Sequence, residues 1–417
     1  MNGGPAAPGR KGFRDGAHRL VPPEETVARA RRLMAPLGIT RVANVTGLDT
    51  LGIPVVMVVR PNARSLSVAQ GKGLTLMAAR ASGLMEAIES YHAEHITLPL
   101  KLATYNQLRF SHRLVDVGAL ARAGAGGFHE EQRVLWIEGA SLRDGGPVWL
   151  PYEIVHTDFT LPLPPSSGGL FVSSGGLASG NHALEAVCHG LCELIERDAV
   201  TLWRCRSEEE RAASRVDEAT VDDPACREVL AAYARAGVAA AIWEITGDVG
   251  VAAFQCAIAD AAPDPARPIG PMAGMGCHPA REIALLRALT EAAQSRVTLI
   301  TGARDDMMHQ RLDEAGYLRA LGEHRARLEA PGPRRSFRDA PTRAHETFEE
   351  DLAFVLERLA AAGLGEAVVV DLSKPELGVP VVRVVVPGLE VLSDLPGYLP
   401  GRRTREALAR RGIGGAS

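Results

Sequence analysis

Three stretches of this chain repeat one pattern of polar residues, and that repeat limits the folds open to it more than any other feature. ASGLMEAIES (Ala81 to Ser90) aligns without a gap with CHGLCELIER (Cys188 to Arg197), and RALTEAAQSR (Arg287 to Arg296) echoes both. Glu86, Glu193 and Glu291 fall in register, as do Glu89, Glu196 and Gln294. At ~100° per residue, positions i, i+4 and i+7 span an arc of roughly 60° on a helix. Ser82/Glu86/Glu89, His189/Glu193/Glu196 and Arg287/Glu291/Gln294 are therefore three stripes on three helices. Each helix follows a glycine-bearing lead-in: GKG (Gly71 to Gly73), ASG (Ala178 to Gly180) and GMGC (Gly274 to Cys277). The second helix adds Asn181 and Glu185 to its acidic side, opposite Leu184, Val187, Leu191, Leu194 and Ile195.

Glutamate on one amphipathic helix ordinarily marks a solvated outer face. Three helices that repeat their polar positions as faithfully as their apolar ones call for another account. Six carboxylates gathered together repel one another and are costly to desolvate unless cations neutralise them. Hard divalent ions with oxygen ligands suit such a site, and magnesium shared between carboxylates and phosphate oxygens implies a nucleotide polyphosphate. Arg197, Arg287 and Arg296 would then serve the phosphate oxygens. No GxxxxGK[ST] phosphate loop occurs.

The remaining pattern mixes helices with strands. EETVARARRLMAPLG after Pro22 and Pro23, Thr75 to Glu94, His182 to Arg204, ACREVLAAYARAG, AREIALLRALTEAAQSRVTLI and EDLAFVLERLAAAG read as helices. IPVVMVVR, RVLWIEG, PVWLPYEIV, VAAAIWEI, VGVAAFQCAIAD, EAVVVDLS and VPVVRVVVPG read as strands. This predicts an α/β or α+β class with covered sheets. Residues 1–10 and 401–417 are expected as tails, and the charged stretch 304–345 as a solvated excursion. With 46 Lys plus Arg against 50 Asp plus Glu, no basic field recruits nucleic acid or an anionic membrane. No apolar run reaches the ~18 residues that span a bilayer, and a cytoplasmic location is expected. The 6 cysteines form no CxxC pair and no disulfide framework. Cys277, just before the third helix, is a candidate for a lowered thiol pKa and a persulfide role; His189 is expected to pack within its helix.

In these residues the sequence resembles the YcaO superfamily. SGLMEAIE, GLASGNHALEAVCHGLCELIERDA and RALTEAAQSR carry the likeness, with GITRVANVTGLD and VVRVVVPGLE flanking them, over roughly residues 11–400. The resemblance implies a fold of internally repeated strand/helix units with three long helices lining an ATP and Mg²⁺ site. It implies ATP-dependent activation of a peptide-backbone amide: a nucleophile adds to the carbonyl, the resulting oxyanion is phosphorylated, and phosphate is lost. By the same likeness Glu86, Glu89, Glu193 and Glu196 would hold Mg²⁺, Glu193 and Glu196 being also the catalytic pair. Ser82, Asn181, Glu185, Arg197, Arg287 and Glu291 would hold nucleotide, with Arg19 or Lys72 as the basic residue that reaches it.

Azoline-forming members end in a PxPxP tail, whereas this chain ends LPGYLPGRRTREALARRGIGGAS. HRLVPPEET and GITRVANVTGLD look most like the members that work with a TfuA partner and install thioamides from sulfide. Thioamide formation is therefore the leading expectation. Azoline formation by a cyclodehydratase on Cys, Ser or Thr of a precursor peptide is the alternative, and a non-catalytic ATP-binding assembly factor the third. A peptide or protein substrate, a TfuA-like partner and a homodimer are the expected company.

Overall fold

The computed structural model describes residues 9–124, 127–164, 167–262, 264, 269–303, 314–330, 332, 334–393 and 397–412. It is a mixed α/β fold of long helices against antiparallel sheets. One three-stranded sheet pairs Arg41–Asn44, Val55–Val59 and Val68–Lys72; a second pairs Val238–Glu244, Ala253–Asp260 and Met272–Cys277. A larger sheet runs in the order Leu100–Ala103, Val134–Ser141, Val368–Asp371, Val381–Val385, Leu177–Ser179, with Pro147–Pro151 also paired to Val134–Ser141. The two-residue strands Val216–Asp217 and Arg335–Ser336 pair in parallel.

The repeat is architectural. Val68–Lys72 leads into the helix Leu76–Glu94, Leu177–Ser179 into Ala183–Arg204, and Met272–Cys277 into Arg281–Thr301. Each lead-in strand lies in a different sheet and packs on the helix it precedes, and glycine is what permits the approach. A Cβ on Gly71 would strike the backbone of Ala79 and Gly83, and one on Gly274 would strike that of Ala288 and Ala292. Helix starts follow local chemistry: Thr75 Oγ accepts from the Ala78 amide at 3.1 Å, and the His182 ring from the Leu184 amide at 3.2 Å. The third helix stops at Gly302, whose φ of 58° is left-handed.

Apolar faces divide among three main clusters. Val56, Val58, Ile88 and Trp136 belong to one, Leu191, Ile195, Trp203 and Val384 to a second, and Leu285, Leu289, Phe254 and Tyr233 to a third. Each acidic helix thus buries one flank in hydrocarbon and leaves its polar stripe to face the other two.

Three expectations meet a different structure. PVWLPYEIV is a strand only over Pro147–Pro151; a 3-10 turn at Tyr152–Ile154 follows, since Pro151 has no N–H for a ladder. The stretch 304–345 holds a helix, Glu314–Glu329, and the strand Arg335–Ser336, while residues 304–313 lie outside the described ones, as do 1–8 of the amino-terminal tail. Beyond residue 400 the chain forms the helix Arg402–Arg410 rather than a free tail. Arg403, 8% exposed, lies 2.9 Å from Asp198 Oδ2 and 2.6 Å from Asp248 Oδ1, which ties this end to the second acidic helix. The stretch RSEEERAASR is a helix start, capped reciprocally by Ser207 and Glu210. Among the described residues no helix is long and apolar enough to cross a membrane.

Candidate functional site

The three stripes meet, each helix gripping a lead-in strand of another unit. Glu89 of the first helix accepts from the Ser179 amide at 2.8 Å and the Ser179 hydroxyl at 2.7 Å, on the strand that leads into the second. Lys72, ending the first lead-in strand, places Nζ 2.6 Å from Glu291 Oε2 on the third helix. The Met275 amide of the third lead-in strand donates to Glu291 Oε1 at 3.3 Å, and the Gly176 amide to Glu193 Oε2 at 3.2 Å. Arg197 of the second helix is 3.3 Å from Glu193 Oε1 and 3.6 Å from Glu196 Oε1, and reaches Met275 Sδ at 2.9 Å. Gln294 donates to the Gln70 carbonyl at 3.2 Å, closing the ring between the third helix and the first lead-in strand.

Crowding and burial split the carboxylates into two kinds. Burial, with repulsion from Glu86 and Glu193 added, pushes the Glu89 carboxyl up to about 8 despite its bonds to Ser179. Burial likewise pushes Glu196 up to about 7, Glu291 and Glu193 adding to the effect against the pull of Arg197 and Arg287. Glu291 is half-buried, and although desolvation pushes it up, Lys72 and Arg197 hold it below the usual carboxylate range. Burial disfavours the charge on Arg197, but Glu196, Glu193 and Glu291 more than offset this and keep it firmly protonated.

Within the cleft, one residue of the second helix and one of the third each hold a polar atom without a partner. Glu196 Oε2 and Arg287 Nε are both buried and unbonded. An acceptor and a donor left open in this way fit a metal ion and an anionic oxygen respectively, and would be expensive to maintain otherwise.

The other expected residues lie around this centre. Glu185, 3% exposed, accepts from Arg19 at 3.3 Å and from the Leu20 amide at 3.0 Å. Arg19 and Glu185 line a cavity with His18, His189, His278 and Arg287. Burial, aided by nearby cations, keeps His189 and His278 well below the usual histidine range and His18 down at about 4, so the imidazoles there are neutral at pH 7. Ser82 is half-buried one turn before Glu86, which is half-buried itself. Asn181 turns away from this cavity: its amide donates to Thr26 at 2.9 Å and lines a smaller hollow with Met85 and Pro380.

Two expectations are corrected. Arg296 cannot serve phosphate, because its guanidinium is enclosed at 3.0 Å from Asp49 and 2.9 Å from Asp260. Cys277 is not an activated thiol: burial pushes its pKa well up, and the neighbouring Cys192 pushes the same way. Sequence reasoning missed the Gly176 and Met275 amides, main-chain groups that carry no side-chain signal, and Ser179, which serves the helix of another unit. It also passed over Arg383, although an arginine inside the valine run VVRVVV was a legible signal.

Comparison with known proteins accords with this arrangement. Residues 70–390 match the model of the family described as YcaO cyclodehydratase, ATP- and Mg²⁺-binding. An uncharacterized protein in the tfuA 3′ region of Rhizobium leguminosarum bv. trifolii is 39% identical over 93% of this chain and 91% of its own. The structure of YcaO from Methanopyrus kandleri bound with AMPPCP and Mg²⁺ superposes with a TM-score of 0.73 at 23% identity, covering 94% of this chain and 100% of that one. A heterocyclase in complex with substrate and cofactor gives a TM-score of 0.77 at 23% identity over 98% of this chain. This chain spans 57% of that longer one. Matched over most of its length by the family model and by a relative of this identity, the chain belongs to the YcaO family.

Proposed function

We propose that this protein uses ATP and Mg²⁺ to activate a peptide-backbone amide, and that its product is a thioamide made with sulfide and a TfuA-type partner. The observation that carries the reading is the pair of unbonded buried atoms, Glu196 Oε2 on the second helix and Arg287 Nε on the third, in a cleft of carboxylates. Glu86, Glu89, Glu193 and Glu196 are the metal-holding set, and Glu193 and Glu196 stand closest to the chemistry. Ser82, Glu185, Arg197, Arg287 and Glu291 frame the nucleotide, and Asn181 joins them only by giving up its bond to Thr26. Arg19 and Lys72 each sit on a carboxylate, Glu185 and Glu291, and are released to phosphate oxygens once a cation takes their place. Mg²⁺ supplies neutralisation of the charge on the transferring phosphoryl group.

The chain's own groups do the rest. The buried carboxylates exclude bulk water from the cleft, and Arg197 is fixed between Glu193 and Glu196 as a permanent positive charge. Atoms balance as amide plus ATP plus H₂S giving thioamide, ADP and phosphate, the amide oxygen leaving in the phosphate. The tfuA-region position of the relative from Rhizobium leguminosarum supports the thioamide branch. The family's cyclodehydratase description favours a second reading, azoline formation on a precursor peptide.

Mass spectrometry on peptides co-expressed with the protein and a TfuA-type partner separates the readings. O-to-S exchange adds about 16 Da and dehydration removes about 18 Da, as fixed by atomic masses and the bond changes of each reaction. Glu193→Ala and Glu86→Ala should abolish ATP turnover while circular dichroism and melting stay native. Normal ATP hydrolysis by those folded variants would overturn the site.

A further inference from the structure

Strand Val381–Val385 carries one charged residue, Arg383, between valines 382 and 384 that are fully engaged in the core. Arg383 is 3% exposed and lies opposite Leu177 in one ladder and Val370 in the other. Its Nη2 donates to the Ser173 carbonyl, while Nε and Nη1 are buried without a partner. Among the described residues no carboxylate is within ion-pair distance of it, and Glu193 is the negative charge it feels. A buried cation with open donors inside a valine ladder is costly to desolvate, and an aliphatic side chain would ordinarily be the more stable choice.

Arg383 also holds the loop that serves the acidic cleft, since the Ser173–Gly176 segment ends in the amide that donates to Glu193. The cations of the cleft are otherwise largely engaged: Arg19 by Glu185, Lys72 by Glu291, Arg197 by Glu193 and Glu196. Among the described residues of the cleft, Arg287 and Arg383 are the guanidinium groups with buried free nitrogens and no ion pair. Arg287 acts on Glu196 and His189, whereas Arg383 acts on Glu193 and on His156. Arg287 stands on the third acidic helix and Arg383 on the strand Val381–Val385, so the two belong to different elements around the second acidic helix.

Amide activation requires two positions for one phosphoryl group. It starts on the nucleotide, where the P–O bond breaks and leaves its electron pair on ADP. It ends on the amide oxygen, from which the C–O bond later breaks with its pair going to phosphate. We propose that Arg383 is the binding group for this transferred phosphate, Arg287 serving the phosphates that stay with the nucleotide; this rests on the amide-activating reading above. The free Nε and Nη1 hydrogens supply charge-assisted bonds to phosphate oxygens as the group moves away from the metal-holding carboxylates.

The test is calorimetric titration of inorganic phosphate into the full-length protein saturated with Mg·ADP, beside a titration of Mg·AMPPCP. Wild-type protein should take up one phosphate. Arg383→Gln should weaken phosphate binding tenfold or more and Arg383→Lys by less, with Mg·AMPPCP affinity changed under threefold in both. Equal phosphate affinity in Arg383→Gln, or no phosphate uptake by the Mg·ADP-loaded wild type, would overturn the proposal. So would a parallel loss of phosphate and AMPPCP, the signature of Arg383 acting only through the Gly176–Glu193 contact. Should Arg383→Gln not fold, Arg383→Lys decides on the same criteria, an unchanged phosphate affinity refuting the assignment. Failure of the wild type to bind Mg·AMPPCP would instead sink the amide-activating reading itself.

Discussion

Binding of a magnesium nucleotide should expel protons from the cleft. Glu89 and Glu196 titrate at about 8 and about 7 in the free protein, chiefly because burial penalises their charged forms. At pH 7.5 these two carboxyls together hold about one proton, roughly three-quarters on Glu89 and one-quarter on Glu196. Metal ligation needs both ionised, so about one proton leaves per binding event at pH 7.5 and about 0.1 at pH 9. The same linkage raises the apparent affinity about 20-fold between pH 7 and pH 9, or about 1.8 kcal/mol. Mg·ADP is a suitable probe because it carries no titrating proton of its own in this range. Calorimetry in two buffers of different ionisation enthalpy reads the proton count directly. Glu89→Gln should lower it at pH 7.5 to about one-quarter, the share left on Glu196. The signs for the free protein run the other way. Both folded-state values lie above the ordinary 4.5, so the folded chain keeps protons that the unfolded chain has lost. Stability contributed by these protonated groups is full below pH 4.5 and is lost as pH rises through 7 and 8. Buffer-independent heats together with flat affinity from pH 7 to 9 would refute the reasoning.

Two stability tests probe the frame rather than the cleft. Gly274→Ala should destabilise by about 3 kcal/mol in denaturant titration, since its Cβ meets the backbone of the third acidic helix, whereas Gly322→Ala, in open space on helix Glu314–Glu329, should stabilise by about 0.5–1 kcal/mol. Arg403→Ala should cost about 3–5 kcal/mol by stranding the buried Asp198 charge, and adding Asp198→Asn should recover part of that loss in a thermal melt.

The elements that could be read from sequence were those with a strong local period. The helix expected over His182 to Arg204 is Ala183–Arg204 with His182 as its cap, and Pro224–Arg235 ends just before Gly237 at a φ of 67°. Met272–Cys277 was not legible as a strand, because MAGMGC has no alternation and glycine disfavours strands on its own. It is a strand because the following helix lies so close that only glycine fits, and its partner strand Ala253–Asp260 fixes the register. Arg402–Arg410 was read as a tail because its polar composition gives no apolar face; its anchor is one arginine seated on a carboxylate some two hundred residues away in sequence.

The site divides along the same line. That Glu86, Glu89, Glu193, Glu196 and Glu291 occupy stripes follows from helical geometry acting on their spacing, which is a property of consecutive residues. Which of them is charged does not follow from spacing. Glu89 and Glu291 stand at neighbouring positions of the repeated stripe, one turn apart in register, yet burial and neighbouring carboxylates raise one while Lys72 and Arg197 lower the other. The same holds for the arginines: Arg296 is locked between Asp49 and Asp260, whereas Arg287, nine residues earlier on that helix, is in no ion pair among the described residues and has its Nε free. Desolvation and Coulomb energy depend on distances between units that are remote in the chain, and only the packing of the three helices against one another's strands sets those distances.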